Sequence, residues 1–208
     1  MPSVFECAML SEDVYHDFPT IVRGHTPVAV PRGEPYCRNM EFAGGAYTGS
    51  AEVGVIAFRG SREMVDWKGA NLQIIRRQLP AEQLGCALAY FAAAHRALAA
   101  FGCTRFVLVG HSLGGGLAAA VAGIVTWVPV RGVTFNAPGL GEFSSGLLES
   151  GLERAIAGDV HNFRTARDIV SRWGTHIGCT HDIPGVAGHG IRSCIDELGI
   201  TRFADWEI

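Results

Sequence analysis

Charged residues are sparse in this chain: they make up 18% of its 208 residues and leave a formal net charge of −3. The two signs are interspersed, so no basic stripe marks a polyanion site, and nucleic-acid binding is not expected. Long apolar runs are also missing. The longest, Leu117 to Val130, has 14 residues and is broken by Gly123, Thr126 and Pro129. That is well short of the ~20 residues that cross a bilayer, so no transmembrane segment is expected. The opening stretch, Met1 to Asp17, has no basic n-region and places Glu6, Glu12 and Asp13 where a secretory leader needs an apolar core. The sequence therefore predicts no Sec signal peptide, leaving cytoplasmic residence or export by a dedicated secretion machine. Metal-ligand spacing is absent too. The histidines form no H-E-x-x-H pair, and Cys7, Cys37, Cys86, Cys103, Cys179 and Cys194 match no zinc pattern, so neither a metal nor another cofactor is expected. A chain of this size does not need covalent staples. The cysteines accordingly read as reduced core thiols, with a Cys179–Cys194 disulfide as the alternative.

What the chain does have is apolar mass. Hydrophobic residues are 48% of the total, enough for one ordered domain over residues 1–208 with a large core. Val53 to Phe58 and Arg105 to Gly110 are short β-rich runs, each ending in a turn. Between them, Ala81 to Phe101 carries Leu84, Leu88, Phe91, Ala92, His95 and Leu98 at helical spacing. Gly132 to Asn136 and Val160 to Phe163 read as further strands. Val4 to Tyr15, Leu117 to Val125, Leu147 to Ala157 and Ile191 to Leu198 read as helices. This alternation predicts an α/β fold with a mostly parallel central sheet and helices on both faces.

One junction in that pattern carries chemistry. Gly110-His111-Ser112-Leu113-Gly114 fits G-x-S-x-G between an apolar strand and a small-residue helix. There a sharp turn leaves no room for side chains beside the serine and pushes its hydroxyl above the sheet. A serine nucleophile needs a base, and the base needs an orienting carboxylate. Asp168 follows the strand Val160 to Phe163, which puts a carboxylate at a strand's C-terminal end, although a lone aspartate there also suits an N-cap. His189, between Gly188 and Gly190 in a late loop, is the candidate base, with His176 and His181 as competitors. His111 is expected to point away from the reaction.

Taken together, Phe58-Arg59-Gly60-Ser61 with Asp66-Trp67, then Gly110 to Gly115 (GHSLGG), Asn136-Ala137-Pro138-Gly139, Arg167-Asp168-Ile169-Val170 and His189 resemble the class 3 lipase family. The resemblance implies the α/β-hydrolase fold and a serine ester hydrolase acting on lipid esters, either a triacylglycerol lipase or a phospholipase. It implies Ser112 as nucleophile, Asp168 as acid and His189 as base. Ser61 and Leu113 would supply the backbone amides of an oxyanion hole, the second of which the elbow geometry also favours. The implied partner is a lipid ester substrate, met at a membrane interface, and for a secreted effector a cognate inhibitor protein as well. The chain departs from the family at Ala70, where members often carry an Asp that braces the oxyanion serine; Asn71 or Asp66 would take that part. Asn71 to Pro80 stands where a lid is expected but is short. Two alternatives share these residues: a short-chain carboxylesterase or thioesterase with the same triad, and a catalytically inactive hydrolase fold used as a binding module.

Overall fold

The computed structural model describes residues 1–30, 37, 42–49, 52–61, 81–140, 159–185 and 188–207. The expected helix at Leu147 to Ala157, the lid segment Asn71 to Pro80, and Asp66, Trp67 and Ala70 lie outside the described residues.

Among the described residues, seven strands form one sheet in chain order: β1 (Thr26–Pro27), β2 (Gly44–Thr48), β3 (Val53–Phe58), β4 (Arg105–His111), β5 (Val130–Phe135), β6 (Val160–Thr165) and β7 (Cys179–Ile183). The first two pairings are antiparallel, and β3 to β7 run parallel. The expected mostly parallel sheet is therefore present. Phe58 pairs with Gly110, His111 with Phe135, Phe135 with Phe163, and Thr165 with Ile183. That register brings the C-terminal ends of five strands, and the loops leaving them, to one edge, which is where open α/β sheets hold their ligands.

Helices cover both faces. α1 (Val4–Asp13) opens with a reciprocal cap in which Ser3 Oγ accepts from the Glu6 amide at 3.2 Å and the Glu6 carboxylate accepts from the Ser3 amide at 2.8 Å. It lies over β3, β4 and β5, with α4 (Ile191–Leu198) packed beside it. The opposite face carries α2 (Ala81–Ala99) and α3 (Leu113–Ile124). Strand alternation sorts the core between them. Ile56, Phe58, Phe106 and Leu108 pack with Phe91, Leu98 and Leu117 of α2 and α3, while Val55, Val107, Val109 and Phe135 pack with Val4, Leu10 and Leu198 of α1 and α4. Each such side chain, fully withdrawn from water, contributes roughly 1.5–3 kcal/mol.

Three features differ from the sequence reading. First, β1, β2 and β7 carry no apolar run: β1 and β7 sit at the sheet's edges, and Cys179 to Asp182 is mostly solvent-facing. Second, α3 starts at Leu113, not Leu117, with Gly114, Gly115 and Gly116 inside it. Helical glycine costs about 1 kcal/mol against alanine, and here close packing overrides that propensity. Third, the cysteines are not all reduced. Cys37 is bonded to Cys86 on α2, Cys7, Cys103 and Cys194 are buried thiols, and Cys179 is an exposed one, so the Cys179–Cys194 alternative is not adopted. A bridge between partners 49 residues apart leaves no local spacing to read.

In the chain-entropy picture, closing a loop of 49 residues stabilises the fold by up to about 4 kcal/mol. Reduction should lower the urea midpoint accordingly. Alkylation of the unfolded, unreduced protein should mark four thiols; marking of all six would contradict the bridge.

Candidate active site

Strand β4 ends in a turn whose geometry dictates its composition. Ser112 has φ 57° and ψ −130°, a region that L residues avoid and that costs of order 1–3 kcal/mol to hold. Backbone bonds from Ser112 N to the Phe135 carbonyl (2.9 Å) and from Gly116 N to the Ser112 carbonyl (3.1 Å) fix it there. A Cβ at Gly110 would strike the Gly114 backbone, and one at Gly114 would strike the Phe58 carbonyl. The glycines of G-x-S-x-G are thus required by the approach of α3 to β3 and β4.

Three of the expected residues meet in a line of hydrogen bonds. Ser112 Oγ lies 2.9 Å from His189 Nε2, and His189 Nδ1 lies 2.8 Å from Asp168 Oδ1. Ser112 and Asp168 are each 1% exposed, whereas the His189 side chain keeps 20% of its surface open. Asp168 also accepts from the amides of Val170 (3.1 Å) and Ser171 (2.9 Å), so it holds the first two residues of the short 3-10 turn Val170–Arg172 and faces the histidine at once. Burial raises its pKa, but the hydrogen bond and charge of His189 and the Ser171 bonds outweigh that, and the net shift is downward. The carboxylate stays ionised and demands a proton on Nδ1, leaving Nε2 to accept the serine proton.

Ser61 follows β3 immediately after Gly60, whose own Cβ would stand 3.4 Å from the Ser112 Cβ. Leu113 is the first residue of α3, where a helix leaves amides without intrahelical partners. His176 Nε2 bonds the Ser171 carbonyl at 2.8 Å, and His181 stacks on His161 and Phe163. The Ser112 hydroxyl bonds His189 and neither of these competitors.

His111 departs from expectation. It does not simply point away: its Nε2 lies 2.6 Å from the His189 carbonyl and its Nδ1 3.1 Å from Tyr15 Oη. Burial, reinforced by the neighbouring His189, pushes its pKa from 6.5 down to about 3. Asn136 is the other residue whose part the sequence did not reveal. It is buried at φ 46°, accepts from Thr165 N (2.8 Å), and donates from Nδ2 to the carbonyls of Gly188 (3.1 Å) and His189 (3.0 Å). Asparagine tolerates positive φ better than most residues, and its place in Asn-Ala-Pro-Gly after a strand was the available signal.

A parallel sheet flanked by helices, with a strained serine between strand and helix, defines an α/β-hydrolase. Solved structures agree on the fold. A triacylglycerol lipase from Penicillium expansum matches with TM-score 0.63 and 16% identity over 98% of this chain and 89% of its own. A mutant form of MDLA from Penicillium cyclopium matches with TM-score 0.57 and 15% identity over 88% and 77%. A family model, phospholipase-like and described as a Tle-like phospholipase domain, matches residues 6–197, and the chain belongs to that family. It is 31% identical over 169 residues to the extracellular phospholipase A1 of Serratia liquefaciens, covering 79% of this chain and 49% of the relative, so it spans about half the relative's length.

Two predictions follow from the buried polar groups. Asn136→Ala leaves the Thr165 amide without its acceptor and frees the loop of His189, so urea unfolding should show a loss of ~1–3 kcal/mol. Between pH 6.5 and about 3 the unfolded chain binds a proton at His111 that the folded protein refuses. Stability should therefore fall as pH drops through that window, by up to ~1.4 kcal/mol per pH unit from this group. The depressed Asp168 adds loss at its acid end, as pH falls below 3.8 towards the folded value. Urea midpoints that fall just as steeply in His111→Gln as in the wild type would contradict the assignment.

Proposed function

We propose that this chain is a serine phospholipase in which residues 1–208 form a single catalytic domain. The observation that carries the reading is the unbroken hydrogen-bond line from Ser112 through His189 to buried Asp168, set on a nucleophile elbow. His189 Nε2 takes the Ser112 proton as Oγ attacks the ester carbonyl. The amides of Ser61 and Leu113 receive the oxyanion, and His189 then returns the proton to the departing alcohol. Water, activated by the same imidazole, releases the fatty acid and restores the serine. Asp168 keeps the productive tautomer and offsets the imidazolium charge. Lipid esters are the substrate class of the family, and the phospholipase A1 name of the Serratia relative favours a phospholipid cut at sn-1 over a triacylglycerol. The Cys37–Cys86 bridge fits a protein that works in an oxidising compartment, which supports action at a membrane outside the producing cytoplasm. An exported enzyme of this kind would need a cognate inhibitor protein to protect the cell that makes it.

Phosphatidylcholine vesicles with different acyl chains at sn-1 and sn-2 test the reading. The sn-1 acid should be released, Ser112→Ala should release none, and Asp168→Asn should be slower by ~10⁴, as in serine proteases that lose the triad carboxylate. Release only from triacylglycerol would make it a lipase. Release from neither, or full activity in either variant, would refute the proposal.

A further inference from the structure

A second line of hydrogen bonds runs behind the first. The Gly60 amide donates to Tyr15 Oη at 3.1 Å, Tyr15 Oη lies 3.1 Å from His111 Nδ1, and His111 Nε2 lies 2.6 Å from the His189 carbonyl. The direction of each bond is fixed by chemistry. A carbonyl oxygen only accepts, so the His111 proton sits on Nε2. A neutral ring then has a bare Nδ1, which must accept, so the Tyr15 hydroxyl donates to it while receiving the Gly60 proton. No member is left unsatisfied, and the line ends on the backbone of the candidate base.

The surroundings hold this arrangement rigidly. Tyr15 follows α1 in a turn closed by its own amide on the Glu12 carbonyl at 3.0 Å. The Asp13 carboxylate pins that turn to the sheet, accepting from Thr20 N (3.0 Å), Thr20 Oγ1 (2.6 Å) and Tyr47 Oη of β2 (2.9 Å). His111 is 6% exposed, and its ring centroid is 4.9 Å from that of His189. A cation so close would oppose the imidazolium that forms when His189 takes the serine proton, so a neutral His111 in one tautomer suits the reaction. The Gly60 end of the line precedes Ser61, whose amide is the proposed oxyanion donor.

We infer that Tyr15 and His111 are positioning residues that lock the oxyanion turn at Gly60–Ser61 and the backbone of His189 into one register. The inference rests on the triad proposed above. Neither residue touches substrate. The His189 carbonyl fixes the His111 tautomer, the Tyr15 hydroxyl donates to the bare Nδ1 and holds the ring in place, and together they keep the oxyanion amide and the imidazole aimed at the same carbonyl carbon. Without the hydroxyl, the His111 Nδ1 is left buried with no donor and the ring loses the contact that orients it. A ring that shifts to regain a partner draws its Nε2–H away from the His189 carbonyl and moves the base out of line.

Tyr15→Phe keeps the ring and removes only the hydroxyl. On a soluble p-nitrophenyl ester, kcat should fall about tenfold to a hundredfold, the size of effect that small misplacements of catalytic groups produce, with KM within about threefold. The second-order rate of fluorophosphonate labelling at Ser112 should fall in parallel. His111→Gln retains an amide donor for the His189 carbonyl and an acceptor for Tyr15 and should recover most of the activity that His111→Leu loses. Combined with Tyr15→Phe, His111→Leu should add little further loss, because both break one line. Wild-type kinetics in Tyr15→Phe, or a double variant whose losses multiply, would overturn the inference while leaving the triad standing. Failure of the wild type to label at Ser112 would instead strike the triad itself. Should His111→Leu not fold, Tyr15→Phe and His111→Gln decide alone.

Discussion

The backbone of Ser112 is the constraint on which the rest of this protein depends. Its positive φ at the end of a parallel strand is unfavourable by itself and persists because the surroundings over-determine it. The Phe135 carbonyl holds the serine amide, and the first turn of α3 closes on the serine carbonyl. That closure brings α3 so near to β3 and β4 that Gly110, Gly114 and Gly115 tolerate no side chain. The strain turns the hydroxyl off the sheet and starts a helix directly after it, with Leu113, whose amide is the proposed second oxyanion donor, as its first residue. Glycine placement and candidate chemistry both trace to this one turn.

The partners of the serine come from loops, which ordinarily move more than the elements they join. Here they are tied down from below. Asn136, just after β5, reaches both the Thr165 amide at the end of β6 and the carbonyls of Gly188 and His189, and Thr165 Oγ1 also donates to the Gly188 carbonyl at 2.8 Å. Asp168 leaves Thr165 in a turn and accepts from the amides of Val170 and Ser171 in the segment after it. The carboxylate and the imidazole are thereby referred to the same strand ends as the serine. Distances of 2.8 and 2.9 Å along the line reflect that shared support.

Much of this was legible in the chain. Helical spacing exposed α2, which buries one face, continuous apolar runs exposed β3 and β4, which are buried on both, and the G-x-S-x-G junction was readable because the residues around it must be small. Ser112, Asp168 and His189 meet as the motif pattern implied. What escaped notice depends on distant partners. The strands β1 and β7 take their form from a neighbour and have no apolar signature of their own. Cys37 and Cys86 pair across the fold. His111 and Tyr15 touch across 96 positions, so no local pattern announces that a histidine beside the nucleophile braces the base. Asn136 was visible as part of a motif, yet its work lies in three carbonyl and amide contacts that only the folded chain assembles.

The central claim is that Ser112 is activated by its environment, and intact mass after exposure to a fluorophosphonate tests it most directly. Wild-type protein should gain the mass of one phosphonyl group and Ser112→Ala should gain none, with both equally folded. A folded wild type that stays unlabelled in detergent as well as in buffer, or an adduct that persists in Ser112→Ala, would contradict the account.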